Sequence, residues 1–278
     1  MKILSLGAGV QSSAILLLSC EGILPKLDCA IFADTGWEPP DVYKHLEWLE
    51  SQAKNSGIPI YRVSNGNVRE GALTQITGDK SKGKRWGSMP FHTLSPDGTT
   101  GIVRRQCTSE YKITPVETFI RRELLGIRKG GRVAKGTVID QWFGISADEP
   151  HRIRDSPDAW RRFCYPLIGL PDNYLDKPWR RWDCVNWLQN KYPDRVVPRS
   201  SCIGCPFHSD DEWRRLRDEH PQAFADAIEI DDKIRKLHGM NAETFLHSSR
   251  KPLSQIDLDK DTNQLDLFGN DCSGFCGV

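Results

Sequence analysis

What the chain has little of narrows its function first. Its net charge is almost nil: 38 Lys and Arg against 37 Asp and Glu leave +1 over 278 residues. Nothing therefore pulls the whole molecule toward nucleic acid or an acidic surface, and local clusters have to be judged separately. There is no apolar run of about 18 residues, the length a membrane span requires, so no membrane partner is expected. The opening segment lacks the unbroken apolar core of a signal peptide, because Gly7, Gly9, Gln11, Ser12 and Ser13 interrupt it. Internal repeats are absent as well. The expectation is a soluble, cytoplasmic protein long enough for a sizeable core. Its nine cysteines then serve as ligands, redox groups or core residues rather than secretory disulfides.

Apolar runs and helical spacings alternate along the first part of the chain. The run Ile3-Leu4 and the helix-like Ile15 to Leu18 flank "SLGAGVQSSA", residues 5 to 14. Cys29 to Ala33 reads as a second buried strand ending at Asp34-Thr35-Gly36. Pro39 and Pro40 open a helix carrying Val42, Tyr43, Leu46 and Leu49, which stops near Gly57 before the strand-like Ile58 to Val63. Strand alternating with helix predicts an α/β fold with a doubly wound, mainly parallel sheet. Residues 64 to 106 show little periodicity and read as a long excursion over the active face. A helix is expected from Pro115 to Leu125 and a strand from Thr137 to Gly144. From about Tyr165 the pattern becomes irregular until Ser209, placed to cap the helix "DDEWRRLRDEH" with Trp213 and Leu216 inward and Arg214, Arg215 and Arg217 toward solvent. The expected division is a nucleotide-binding α/β domain over 1–165 and a cysteine-bearing extension over 166–278.

The loop from Gly7 to Ser13 lies where a strand turns into a helix. Open parallel sheets bind ligands there, and the helix N-terminus offers unpaired N–H groups and a positive dipole to an anion. Glycines let backbone approach a phosphate, and Ser5, Ser12 and Ser13 add hydroxyls. The G-x-G-x-x-G fingerprint fails because position 12 is Ser, and the G-x-x-x-x-G-K-[ST] loop fails for want of its lysine.

The loop resembles the S-x-G-x-x-S type pyrophosphate loop (PP-loop) of the adenine nucleotide alpha-hydrolase superfamily, in particular its PAPS reductase-like branch. The resemblance spans most of the chain. Asp34-Thr35-Gly36 is similar to that branch's "DTG" after the second strand. "RRQCTSEYKITPV", residues 104 to 116, is similar to its arginine-cysteine segment, "GISADEPHRI", residues 144 to 153, to its G-x-R-x-x-E-x-x-R segment, and "YPLI" at 165 to 168 to its following proline strand. The resemblance implies that Ser5, Gly7, Gly9, Gln11, Ser12 and Ser13 hold the phosphates of an adenine nucleotide, ATP or PAPS/APS. Asp34, Thr35 and Asp148 would stand near the nucleotide or its Mg2+. Val10-Gln11 replaces the lysine or aspartate such loops carry, so Lys112, Arg104, Arg105, Arg152 and Arg154 are the candidates for compensating charge, with Lys112 and Arg152 assigned to catalysis.

"SSCIGCPFH" places Cys202 and Cys205 two residues apart in a turn, a spacing that lets two thiolates share one metal or cluster. Iron-sulfur members of the resembling group pair such a motif with a Cys-Cys segment, here Gln106-Cys107. That implies Cys107, Cys202 and Cys205 as ligands of a [4Fe-4S] cluster, with zinc as the alternative metal. The fourth ligand is either Cys272, in the tail "DCSGFCGV", or no cysteine at all. Cys276 in that tail is a candidate nucleophile. Cys20 and Cys29 are core residues by their apolar surroundings.

Lys80, Lys82, Lys84 and Arg85 before Trp86, and Arg161, Arg162, Arg180 and Arg181 beside Trp160, Trp179 and Trp182, pair cations with flat rings as phosphates and unstacked bases require. The resemblance thus implies an ATP-cleaving enzyme that adenylates an acceptor and supports sulfur transfer to a nucleic acid, tRNA or DNA, with a sulfur donor such as a cysteine desulfurase. Two other readings stand beside it: a sulfonucleotide reductase that releases sulfite, and a non-catalytic nucleotide- or cluster-binding component of a larger complex.

Overall fold

A computed structural model describes residues 1–77 and 89–259, without the side chains of 75–77. The elements follow the chain as β1 (Lys2–Leu6), α1 (Val10–Cys20), β2 (Cys29–Ala33), α2 (Pro40–Asn55), β3 (Ile60–Val63), α3 (Val68–Thr77), β4 (His92–Leu94), β5 (Thr100–Ile102), α4 (Thr114–Phe119), β6 (Ile139–Trp142), β7 (Arg161–Cys164), α5 (Arg181–Lys191), α6 (Asp210–Glu219), α7 (Pro221–Lys233) and β8 (Glu243–Phe245).

Five strands form one parallel sheet in the order β3-β2-β1-β6-β7. Alternation decides its two faces. Leu4, Leu6, Ala30, Phe32 and Trp142 point to a core shared with α1, α2 and α5, whereas Ile3, Cys29, Ile31 and Ile139 point to the other face and meet Val116 and Ile120. Both faces are covered, which is why these strands read as continuous apolar runs. The chain steps outward from β1 to β2 and β3, then returns to the other side of β1 as β6. The strand order thus reverses at β1, where such sheets open a crevice at their carboxyl ends.

The expected helix from Pro115 begins earlier, at Ser109. Only Thr114–Phe119 is α-helical, and Ser109–Ile113 and Ile120–Leu124 are wound wider, as π-helix. The supposed excursion over 64–106 contains α3 and the strands β4 and β5, which pair antiparallel with β8 in a second, three-stranded sheet. A second core joins Val68, Ala72 and Phe91 to Trp213, Leu216 and Ile230, drawing on both sides of residue 165. Ser209 caps α6 in a reciprocal box with Glu212, as its spacing predicted, and Trp213 and Leu216 are buried. Arg215 does not simply face solvent: it reaches Asp41 at 2.7 Å. Arg214 donates to the Leu258 carbonyl at 2.6 Å. Cys29 is buried and Cys20 packs partly buried against the first core.

No described helix is long and apolar enough to cross a membrane.

Candidate functional site

Three hollows lie side by side at the carboxyl ends of the parallel strands. The first is a cradle at the start of α1, walled by Gly7, Gly9, Gln11, Ser12, Gly144 and three arginines, Arg152, Arg181 and Arg199. Gly9 caps α1 without any side-chain hydrogen bond, and the first turn holds no acidic residue. Its N–H groups are therefore left for a ligand. Ser12 Oγ accepts from Gly7 N at 3.2 Å and closes the loop on itself. Ala8 sits at φ 55, a left-handed conformation that costs a non-glycine residue about 1 kcal/mol or more and is held by complete burial of its side chain. Gly144 is dictated by proximity: a β-carbon there would stand 2.8 Å from Ser12 N.

The arginines arrive from three distant segments. Arg152 pairs with Glu149, whose Oε2 accepts from Gln11 Nε2 at 3.2 Å. Arg181 donates to Gln11 Oε1 at 3.1 Å, and Arg199 pairs with Glu212. Gln11, bonded to both Glu149 and Arg181, thus organises the cradle's edge. Of the expected charges Arg152 is in place. The sequence marks Arg181 only as a cation beside tryptophans, a candidate nucleic-acid contact, and does not single out Arg199; both lie far from the loop along the chain.

The second hollow is an open cavity of about 920 Å³, its mouth included, beneath the helix that starts at Ser109. Its walls are largely apolar, Ile31, Val116, Phe143 and Phe163 among them, with Ser5, Glu38, Gln141 and Arg161 as polar points. Gly7 and Ser200 line both this cavity and the cradle, so the two adjoin.

The third hollow holds the cysteines. Cys107, Cys202 and Cys205 line one wall together with Thr35, Arg105 and Lys112, against the apolar Val68, Met89 and Phe207. The knuckle is pinned from both sides. Ile203 N donates to Trp37 O at 2.8 Å, and Gly204 lies so flat on the Trp37 ring that a β-carbon would come within 2.1 Å of it. His92 Nε2 bonds Pro206 O at 3.0 Å. Lys112 lines this hollow and the larger cavity alike. Glu38 spans the same partition: Oε1 accepts from Thr35 Oγ1 at 2.8 Å and from Cys202 Sγ at 3.6 Å, while the residue lines the larger cavity. Burial, with the Glu38 carboxylate beside it, pushes the Cys202 thiol well above its ordinary value.

No family model matches the chain, and no curated protein does.

Several expected residues are placed differently. Asp34 does not line the hollows: its Oδ1 accepts from Gly36 N at 2.7 Å and Tyr43 OH at 2.8 Å, which folds its own loop. Asp148 is exposed and accepts from Arg181 N at the start of α5. Ser13 turns away into the core, 2.9 Å from His45 Nε2. Thr35 serves the cysteine wall, not the cradle. Arg161 is no open contact for nucleic acid, since it is buried against Asp158 at 2.6 Å and over the Trp160 ring. Arg162 is tied to Asp140 at 2.7 Å. Arg105 lines the cysteine hollow and Arg154 the larger cavity, whereas Arg104 lines none of the three. Among the described residues Trp182 is the exposed tryptophan next to Arg180 and Arg181. Lys80, Lys82, Lys84, Arg85, Trp86, Cys272 and Cys276 lie outside the described residues.

The donor chemistry separates the possible metals. Three thiols and no carboxylate line the third hollow, a soft set that fits iron-sulfur or zinc in kind. Among the described residues no three His, Cys, Asp or Glu side chains close into a metal-holding group, so ligation would require the three thiols to turn inward together. For magnesium the fit is poor, because Asp34 and Asp148 are committed elsewhere and Glu149 is paired with Arg152.

Proposed function

We propose that the chain is a PP-loop ATP pyrophosphatase-type enzyme of the PAPS reductase-like branch of the adenine nucleotide alpha-hydrolases. It binds an adenine nucleotide, adenylates an acceptor and supports sulfur transfer to nucleic acid with a thiolate-bound iron-sulfur centre. The observation that carries the reading is the adjacency of the three hollows: an arginine-ringed helix N-terminus adjoins a largely apolar cavity, which meets a three-cysteine wall at Lys112 and Glu38.

In this reading the α1 N–H groups hold the outer phosphates of ATP, and Arg152, Arg181 and Arg199 offset their charge. An acceptor oxygen attacks the α-phosphorus and the bond to the β-phosphate oxygen breaks. Pyrophosphate remains in the cradle, where the arginines stabilise the charge that develops on it. Lys112, on the partition, neutralises the α-phosphate and positions the adenylated acceptor toward the cysteines. Cys107, Cys202 and Cys205 would hold the centre, which when bound supplies an iron site for sulfur. Zinc on the same thiols would make the hollow structural instead.

The test is anaerobic purification with iron, acid-labile sulfide and zinc counted per chain, repeated on Cys107→Ala and Cys202→Ala, followed by a pyrophosphate-release assay with ATP and tRNA or DNA. About four iron and four sulfide, lost in both variants, together with acceptor-dependent pyrophosphate, is the expected result. Sulfite release from PAPS or APS without ATP cleavage would replace the proposal by a sulfonucleotide reductase. Nucleotide binding with neither product would make the chain a binding component.

A further inference from the structure

Residues that line the larger cavity carry buried polar atoms with no hydrogen-bond partner, among them Glu38 Oε2, Gln141 Oε1 and Arg161 Nε. Glu38 and Arg161 are engaged through their other atoms, by Thr35 and Asp158. Gln141 is harder to account for structurally. It is an uncharged polar residue inside β6, 4% exposed, level with Ile3 on one side and Phe163 on the other. A leucine would pack this sheet face without leaving a polar group unpaired. Its Nε2 donates to Ser5 Oγ at 2.9 Å, which fixes the carboxamide and leaves Oε1 as an acceptor in the cavity wall.

Position indicates what that acceptor meets. Gln141 is in register with Ile3, four residues before Gly7, and at about 3.3 Å per residue its backbone lies roughly 13 Å down the strands from the phosphate loop. Its carboxamide, held at Ser5 two residues before Gly7, lies only roughly 7 Å down the strands, on the cavity floor where the nucleoside of a ligand with its phosphates in the cradle comes to rest. The apolar faces of Phe143 and Phe163, ring centroids 4.9 Å apart, adjoin it.

We propose that Gln141 is the base-reading residue of the site: Oε1 accepts a hydrogen bond from the exocyclic amino group of a 6-aminopurine. A 6-oxopurine would set oxygen against oxygen with no proton between them, so the cavity selects adenine over hypoxanthine or guanine. This rests on the nucleotide reading of the cavity.

The experiment is calorimetric titration of the full chain and of Gln141→Met, similar in length but without the acceptor, with ATP, ITP and 3′-deoxy-ATP. Wild type is expected to bind ATP at least about tenfold more tightly than ITP. In Gln141→Met that ratio should fall to within about twofold, through weaker ATP binding, while any cost of removing the 3′-hydroxyl stays as it was. ITP binding to wild type as tightly as ATP, or more tightly, overturns the assignment without touching the nucleotide site, and needs no variant to fold. So does a variant that keeps the ratio. Loss of 3′-deoxy-ATP discrimination in Gln141→Met would give the acceptor to the sugar and overturn it equally. Binding of none of the three nucleotides to wild type would overturn this assignment and the nucleotide reading together.

Discussion

Gly144→Ala is the most economical perturbation of the cradle, because its effect can be worked from three distances. A β-carbon at 144 would lie 2.8 Å from Ser12 N, 3.1 Å from Ser12 Cα and 3.2 Å from Gln11 C. All three atoms are backbone in the first turn of α1, so no change of rotamer relieves the overlap. Ordinary contact begins near 3.4 Å, and the end of β6 must therefore part from α1 by about 0.6 Å. Strain of that kind in a close-packed interior costs about 1–3 kcal/mol. In a protein of this size each kcal/mol moves the unfolding midpoint by about 2–4 °C, which puts the central expectation near a 6 °C fall. The same shift moves the N–H groups that face the ligand. At a hundred times its Kd a nucleotide stabilises wild type by about 2.7 kcal/mol, and a tenfold weaker variant at the same concentration keeps only about 1.4 kcal/mol. Scanning calorimetry with and without ATP reads both quantities. An unchanged midpoint with an unchanged ligand increment would refute the claim that this contact builds the cradle.

The second core hangs on Asp231, whose Oδ1 accepts from Leu246 N at 2.7 Å and whose Oδ2 accepts from Leu253 N at 3.0 Å and Arg235 at 2.6 Å. Asp231→Ala should destabilise the chain by about 3–5 kcal/mol in urea denaturation, and a loss under 1 kcal/mol would contradict this role. Burial, and then the Arg195 charge, hold His45 at a pKa of about 4, below the usual 6.5. The neutral imidazole is the folded form, so its contribution of about 3 kcal/mol is intact above pH 6.5 and is lost as pH falls toward 4. Urea midpoints measured from pH 7 to pH 4.5 should drop, and His45→Gln should flatten that dependence. Trp213→Ala, which removes a fully buried ring beneath the cysteine knuckle, should cost about 3–5 kcal/mol by the same denaturation measurement.

The first strand, first helix and second strand were legible because each is a short apolar run bounded by glycine or proline, and the Ser209 cap because its signal spans only four residues. The wide-wound turns around Thr114 carry no such local signature, and the segment was read as a shorter, regular helix. Short strands such as His92–Leu94 gain their partners from Glu243–Phe245, about 150 residues away, and no local pattern announces them. In the site, the resemblance of Asp34-Thr35-Gly36 pointed to Asp34 as a neighbour of the nucleotide or its Mg2+, but Tyr43 and Gly36 take its carboxylate. Glu38, four residues on, lines the cavity instead. Arg181 and Arg199 reach the cradle across some 170 residues or more, a distance at which a single arginine in a polar stretch looks like any solvated cation.

The cysteine wall has no local precursor. Residues near 35, 68, 89, 107 and 202 each contribute to it, so it exists only after chain segments of about 20 to nearly one hundred residues have closed. A peptide carrying the Cys202–Cys205 turn would present two thiols and neither the third nor the Trp37 platform that sets their pitch. Whatever binds all three thiols thus recognises the assembled molecule and draws its free energy from the same contacts that complete folding, which makes occupancy of that hollow a direct gauge of whether the two cores have come together.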